Sequence, residues 1–355
     1  MDPRQEIIDI GRTLHEQGLL VRTWGNISCR IDKDHILITP SGIQYEDLTP
    51  DMIPEVNLKD LSWEGKCKPS SELQVHVACY NTRSDVRFII HTHQVFATVA
   101  GSLGVKEVRA MVDGDDVRYP CAPYALPGTK KLAENVKKTI QKYKNTDGII
   151  MSNHGTICMG SISDEALECA MEMEEASKLF LHGYCHMDIE SDFIEGFSSH
   201  INSGKIIYDK PDAPYRIKKI HEEIYAKRPD VRYIVHTKAE ACRIVSRRAT
   251  HMKPLLDDFA QLIGTSVRIP VNHHGHDGQR IIVKKNINAV FALDDGAFCL
   301  GQTKDDAMAA ALVLEKACIA QIAASRYGSA NFLSYRDSLK MNRHYRNSYS
   351  KLAKR

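Results

Sequence analysis

One stretch of this chain occurs twice, and no other feature of the sequence limits the fold so much. Ser84-Asp85-Val86-Arg87-Phe88-Ile89-Ile90-His91-Thr92-His93 returns as Pro229-Asp230-Val231-Arg232-Tyr233-Ile234-Val235-His236-Thr237-Lys238, displaced by 145 residues. Further on, Gly155-Thr156-Ile157-Cys158-Met159-Gly160 returns as Gly296-Ala297-Phe298-Cys299-Leu300-Gly301, displaced by 141. Each copy runs into an acid-started helix, at Asp164-Glu165 and Asp305-Asp306. Two matches in one order at nearly one displacement are a tandem duplication. A chain of 355 residues is long enough for two domains with separate cores. The pattern loosens into Gly, Ser, Asp and Pro between Glu195 and Pro214, so we expect domains over 1–200 and 201–335 and a basic tail over 336–355.

Periodicity fills in the first copy. Residues 4–20 read as an amphipathic helix with Ile7, Ile8, Ile10 and Leu14 on one side. Ile27–Ile31 and Ile36–Thr39 read as a hairpin, and Glu55–Glu64 as a second hairpin or meander. A helix is expected over Glu72–Thr82, then a strand to His93, a short helix Gln94–Ala100, an irregular stretch to Tyr119, and a basic helix from Gly128 to Tyr143. Gly148–Ser152 is a buried strand that delivers Asn153-His154-Gly155. A return strand to Met159 and a helix from Asp164 to Gly183 follow.

The chemistry gathers at strand ends. On an extended segment residues i and i+2 share a face, so the imidazoles of His91 and His93 converge. Two converging imidazoles near a carboxylate suit a divalent transition metal. His154, in a strand-end loop, is a candidate third ligand, although a lone histidine in a turn is more often structural. Pro69-Ser70-Ser71 precedes a helix, where exposed amides and hydroxyls make an anion site; Ser70 as a simple cap is the competing reading.

The second copy has lost this chemistry. Glu72 aligns with Ile217, His93 with Lys238 and His154 with Asp295, and no counterpart of Gly25-Asn26 or Ser41-Gly42 is evident. We expect a Lys238–Asp295 ion pair in place of the metal. His273-His274-Gly275-His276 is the remaining metal candidate there, but its Gly- and Asn/Asp-rich context reads as a loop.

Composition narrows the partners. A net charge of +2 gives no global pull toward nucleic acid or an anionic membrane, and neither is expected as a partner. The exception is the tail from Arg336 to Arg355, with seven Lys and Arg against Asp337 and three interleaved tyrosines from Tyr335. It reads as a solvated tail, or as a basic amphipathic helix that docks or closes over an anionic substrate. Ten cysteines without a C-x-x-C pair fit reduced, partly buried thiols in a cytoplasmic protein. No run approaches the length of a membrane span.

Gly25-Asn26-Ile27-Ser28, Thr39-Pro40-Ser41-Gly42, Pro69-Ser70-Ser71-Glu72, His91-Thr92-His93 and Asn153-His154-Gly155, in that order, resemble the class II aldolase/adducin-head family. The resemblance covers most of residues 4–190, and 205–330 looks like a degenerate second copy. It implies a three-layer α/β/α fold with a mainly antiparallel central sheet, here twice in tandem. It implies one divalent ion per chain, Zn2+ first and Mn2+, Co2+ or Fe2+ as alternatives, held by His91, His93 and His154. Gly25, Asn26, Ser41, Gly42, Ser70 and Ser71 would grip the phosphate of a small phosphorylated sugar. Glu72 would be the general acid/base, or a fourth ligand in the empty enzyme.

A three-His site leaves positions open for a hydroxy-ketone, and the ion stabilises the enediolate formed when a carbon–carbon bond breaks. Aldolases of this family carry Glu where similar epimerases tend to carry Asp, so Glu72 favours cleavage of a phosphorylated ketose. Epimerase, decarboxylase or dehydratase chemistry, and a non-catalytic adducin-like assembly role, are the alternatives. The family's aldolases also take a tyrosine from a neighbouring subunit as second proton donor. No tyrosine stands near Arg109, where it is expected; Asp113 and Asp115 are the nearby substitutes, and in the second copy the matching segment offers Asp257 and Asp258, of which Asp258 is the one to test. The resemblance implies a homo-oligomer, and two tandem chains would build a ring of pseudo-four-fold symmetry.

Overall fold

The structure, a computed structural model, describes residues 2–20, 23–188, 190–271 and 280–349. His273, His274 and His276 therefore lie outside the described residues. The chain divides into two compact units, Met1–Met187 and Asp188–Ser350. The division precedes the expected 200/201 seam because Glu195 already bridges Thr237 and the strand from Ser199 belongs to the second sheet.

In unit 1, α1 (Pro3–Glu16) starts where the Asp2 carboxylate accepts from Arg4 N and proline occupies the first turn. Then come β1 (Asn26–Arg30), β2 (His35–Ile38), β3 (Glu55–Asn57), β4 (Trp63–Glu64), α2 (Leu73–Tyr80), β5 (Phe88–Thr92) and α3 (Val95–Ser102). β6 (Glu107–Val112), β7 (Asp115–Ala122), α4 (Lys130–Lys142), β8 (Gly148–Met151), β9 (Gly155–Gly160) and α5 (Ser163–Cys185) complete it. The sheet order is β4-β3-β2-β1-β5-β9-β8-β7-β6, antiparallel throughout except for β7 against β8. Alternate residues serve opposite faces. Ile36, Ile38, Ile89, Ile149, Met151, Ile157 and Met159 form one core with Val75 and Cys79 of α2 and Val136 and Ile140 of α4. The other face carries α1, α3 and α5. That is the expected three-layer arrangement.

The stretch read as irregular is instead the β6–β7 hairpin, closed at Asp113-Gly114 with positive φ at both positions. Its strands are exposed along much of their length, so they lack the apolar alternation by which a strand is recognised.

Unit 2 contains β10 (Ser199–Asn202), β11 (Lys205–Tyr208), α6 (Tyr215–Lys227), β12 (Tyr233–Thr237), α7 (Glu240–Arg248), β13 (His251–Met252) and β14 (Val267–Arg268). It continues with β15 (Ala289–Ala292), β16 (Gly296–Gly301), α8 (Lys304–Tyr327) and α9 (Tyr335–His344). Its main sheet, β11-β10-β12-β16-β15, repeats the order β2-β1-β5-β9-β8 of unit 1. α6 packs on one face through Ile217, Ile220 and Ile224 against Ile234, Phe298 and Leu300. α7 and α8 lie against β16 and each other.

Contrary to the expectation that no run is long enough, α8 has the length and apolar character of a membrane span, although most of its apolar stretch is buried inside the unit. Of the two readings of the basic tail, its first half follows the docking helix and not the solvated tail. α9 docks on unit 2: Ser338, Met341 and Asn342 are buried, and Asn342 Nδ2 donates to Ala260 O and Gln261 O at 3.2 and 3.0 Å.

Candidate metal centre

β5 carries His91 into a fully buried position and releases His93 at its end. The register His91↔Ile157 and Thr92↔Thr156 brings the start of β9, and the turn ahead of it, to the same end of the sheet. Asn153 makes that turn at φ 65°, a left-handed conformation that asparagine tolerates better than most residues. Gly155 follows because a Cβ there would stand 2.3 Å from Thr92 O. Glu72 immediately precedes α2 and is buried.

These elements place one ligand atom from each of Glu72, His91, His93 and His154 within 4.8 Å of one another, all four residues buried. Glu72 Oε2 lies 2.7 Å from His91 Nε2, and Oε1 lies 2.9 Å from His154 Nε2. The rings of His91 and His154 are stacked with centroids 5.0 Å apart, and Trp24 stacks on His93 at 6.4 Å. His91 Nδ1–H donates to Thr156 O at 2.7 Å, which turns a bare Nε2 into the cluster.

That bare Nε2 faces His93 Nε2 at 3.1 Å and a carboxylate at 2.7 Å, an arrangement one cation in their midst satisfies. The edge of a tetrahedron with metal–nitrogen bonds of about 2.0–2.1 Å is about 3.3 Å, so the donor set fits zinc or a similar ion. Burial acts to raise the Glu72 pKa, but positive charge on the His154 and His91 rings outweighs it and holds the carboxyl well below the usual range; with those rings neutral, a cation in their midst takes over that role.

The residues expected at the phosphate line the same region. Asn26 opens β1 directly opposite His91, and Gly25 precedes it where a Cβ would meet His91 O at 2.6 Å. The Ser41-Gly42 turn is tied to the Ser70 loop, since Ser41 Oγ donates to Pro69 O at 3.2 Å and Pro40 bridges Pro69. Ser70 Oγ accepts from Glu72 N at 3.2 Å, as a cap does, and the neighbouring Ser71 is exposed.

The two acid candidates stand elsewhere. Asp113 sits exposed at the tip of the β6–β7 hairpin. β7 joins β8 only through Cys121 and Ala122, so the tip is roughly 20 Å along the strand from that junction and outside the chain's own cluster. Asp258 does not present itself to any neighbour: it is buried inside unit 2 and ion-paired with the equally buried Lys316. A carboxylate enclosed with its cation cannot complete a surface for another site, and that expectation is corrected.

Sequence reasoning missed the support behind Asn26. His76 is fully buried, with Nδ1 2.6 Å from Ser28 Oγ and Nε2 2.5 Å from Asn26 Oδ1, and Ser28 Oγ is 2.8 Å from Tyr80 Oη. Burial, with the nearby His91, pushes the His76 pKa down to about 3, so the ring is neutral. A signal was available: His221 and Tyr225 repeat His76 and Tyr80 at the displacement of 145.

Unit 2 shows how the site was dismantled. The expected Lys238–Asp295 pair does not form. Asp295 binds Arg216 at 2.8 Å, and Lys238 lies over the Phe197 ring, 5.1 Å from its centroid. Both nitrogens of His236 are committed, Nδ1 accepting from Phe197 N at 3.0 Å and Nε2 donating to Asp295 O at 2.7 Å. The ring therefore has no lone pair left for a metal. Ile217, in the place of Glu72, is core.

A counterpart of Gly25-Asn26 does exist. Ser199 pairs with Ile234 as Ser28 pairs with Ile89, so Gly196-Phe197 takes that position, where a Cβ on Gly196 would meet the His236 ring.

The class II aldolase and adducin N-terminal domain family matches the chain twice, over residues 5–181 and 194–322. The chain is 36% identical over 190 residues to an Escherichia coli 5-methylthioribulose-1-phosphate/5-deoxyribulose-1-phosphate aldolase, covering 52% of this chain and 86% of that protein. It is 35% identical over 182 residues to a Shigella flexneri L-fuculose phosphate aldolase, covering 50% and 81%. Among solved structures, an L-fuculose 1-phosphate aldolase is 30% identical with a TM-score of 0.45, covering 51% of this chain and 86% of that one.

Proposed function

The chain belongs to the class II aldolase and adducin N-terminal domain family, and from that premise we propose that it is a metal-dependent aldolase cleaving a ketose 1-phosphate. The observation that carries the reading is the buried cluster of Glu72, His91, His93 and His154, intact in the first copy and dismantled in the second. An assembly domain has no use for three imidazoles and a carboxylate desolvated together.

His91, His93 and His154 would hold the ion, which when bound withdraws electrons from the ketose oxygens and offsets the negative charge that develops there. Glu72 moves the proton. The hydroxyl that becomes the aldehyde oxygen passes its proton to the second acid/base group. As the carbon–carbon bond breaks, the electron pair stays with the carbonyl-side carbon, and Glu72, having taken a proton from solvent, delivers it to that carbon. Asn26, Ser41, Gly42, Ser70, Ser71 and Gly25 supply neutral donors to the phosphate, whose charge is then held without neutralising Glu72.

The second acid/base group, which accepts the hydroxyl proton in cleavage and returns it in the reverse reaction, is assigned to Asp113 of a neighbouring copy, because the hairpin tip lies away from its own site and is open to another. The enzyme is then a homo-oligomer. Mixing two inactive variants, Glu72→Gln and Asp113→Asn, should restore activity by pairing an intact Glu72 with an intact Asp113. No recovery from co-refolded chains would remove Asp113 from the mechanism.

The reading itself is tested by metal analysis and by release of dihydroxyacetone phosphate from 5-deoxyribulose 1-phosphate and L-fuculose 1-phosphate. We expect close to one ion per chain and activity on at least one of these; an ion-free, inactive protein would sink it.

A further inference from the structure

Behind the site, Ser28, His76 and Tyr80 form a buried chain of contacts that recurs in unit 2 as Ser199, His221 and Tyr225. Ser199 Oγ lies 2.6 Å from His221 Nδ1 and 3.1 Å from Tyr225 Oη. The set has therefore persisted where the metal ligands were lost, and it belongs to the fold. The copies differ at one end of it. In unit 1 the second ring nitrogen, His76 Nε2, meets Asn26 Oδ1 at 2.5 Å. In unit 2 Phe197 replaces the asparagine, and the buried His221 Nε2 has no side-chain partner among the described residues, the Phe197 backbone being the group against the ring. Only in the copy that keeps the metal ligands does this histidine have a polar side chain to hold.

Tyr80 O–H donates to Arg87 O at 3.1 Å and also stands 2.8 Å from Ser28 Oγ. The direction along the chain is set at its other end, where Asn26 Oδ1 can only accept from His76 Nε2. Ser28 Oγ–H then donates to His76 Nδ1, and the neutral ring carries its proton on Nε2, which donates to Asn26 Oδ1. Asn26 is buried beside His91, and no described residue accepts from its Nδ2.

We propose that His76 is a positioning residue: by holding Asn26 Oδ1 it turns the Asn26 amide nitrogen to the site as a neutral donor for the substrate phosphate. This rests on the reading that Asn26 grips that phosphate. Without the Nε2–H the amide is free to flip and present its oxygen, which repels an anion.

The test uses the metal-loaded full chain and inorganic phosphate, titrated by calorimetry. His76→Asn keeps a group near Ser28 but does not reach Asn26, and we expect it to weaken phosphate binding 10- to 100-fold with metal content unchanged. In His76→Gln, Nε2 can still donate to Asn26, and binding should recover to within about three-fold of the parent. Asn26→Asp, which puts an anionic oxygen at the site, should abolish it. In activity assays the His76→Asn loss should fall on KM more than on kcat.

Equal loss in both His76 variants, or loss in neither, overturns the role of His76 while leaving the phosphate reading intact. Failure of the unsubstituted protein to bind phosphate overturns that reading and this inference with it. Long-range 1H–15N spectra of the parent protein supply a readout independent of how the variants fold: protonation at His76 Nε2 is expected, and protonation at Nδ1 would refute the assignment.

Discussion

At the scale of single residues, Glu72 is held between burial, which favours its neutral form, and two imidazoles, which favour its charged form and win. Glu72→Gln removes the charge and keeps the shape. The three histidines should still retain close to one ion per chain by atomic emission, while steady-state turnover falls about 10²- to 10⁴-fold. Loss of the ion in that variant would make Glu72 a ligand instead.

Glu315 in unit 2 shows the opposite balance. Burial, reinforced by nearby Asp192, pushes its pKa up to about 7, with Ser191 opposing. Between the unfolded value near 4.5 and about 7 the folded state binds more protons than the unfolded one. Stability is therefore greatest below pH 4.5 as far as this group is concerned, and falls as pH rises through 7. Glu315→Gln should remove that fall, on the order of 2–3 kcal/mol, from denaturation midpoints of unit 2 measured between pH 5 and 8.

The convergence of His91, His93 and His154 was legible because their geometry follows from local rules, the i, i+2 pair on a strand end and a turn at a strand start. The placing of His76 against Asn26, 50 positions apart, depends on α2 packing across β1, which no local pattern encodes. Asp258 misled for the converse reason: a polar residue in sequence looks exposed until its buried cation is seen.

At the scale of elements, the two copies keep the same close approaches. A Cβ on Gly155 would stand 2.3 Å from Thr92 O, and one on Gly296 would stand 2.3 Å from Thr237 O. The left-handed turn ahead of each is made by Asn153 and Asp294, at φ 65° and 66°. Gly296→Ala should cost about 2–4 kcal/mol in unit 2, since backbone rather than a flexible side chain blocks the methyl and φ is 86°. Chemical denaturation measures it, and a change below about 1 kcal/mol would contradict the packing.

Arg83 and Arg228 likewise repeat one another, each bound to a carboxylate two residues on, Asp85 and Asp230, and to the strand-leading residues Asp147 and Asn288. These repeats explain why the duplication could be read from sequence. What resisted was β10–β11, where little beyond a glycine and a serine survives to match β1–β2, and the exposed β6–β7 hairpin.

At the scale of the whole molecule, each unit has its own sheet and its own core, and the described ligand cluster lies in unit 1 alone. An ion that binds only the folded form of unit 1 stabilises that unit, by about 2.7 kcal/mol at a hundred times its Kd. Chelation should therefore lower one of two calorimetric transitions and leave the other in place. Equal displacement of both would show that the site is not confined to the first copy.

The stacking of Trp24 on His93 has a practical consequence. The chain has two tryptophans, Trp24 and Trp63, and both belong to unit 1. Trp24 is buried against a ligand ring, whereas Trp63 is 43% exposed at the edge of the sheet. Loading the site should change the blue-edge emission of the first indole and leave the red-shifted emission of the second as an internal standard. The protein thus carries a ratiometric optical gauge of its own occupancy, readable without a label or a substrate.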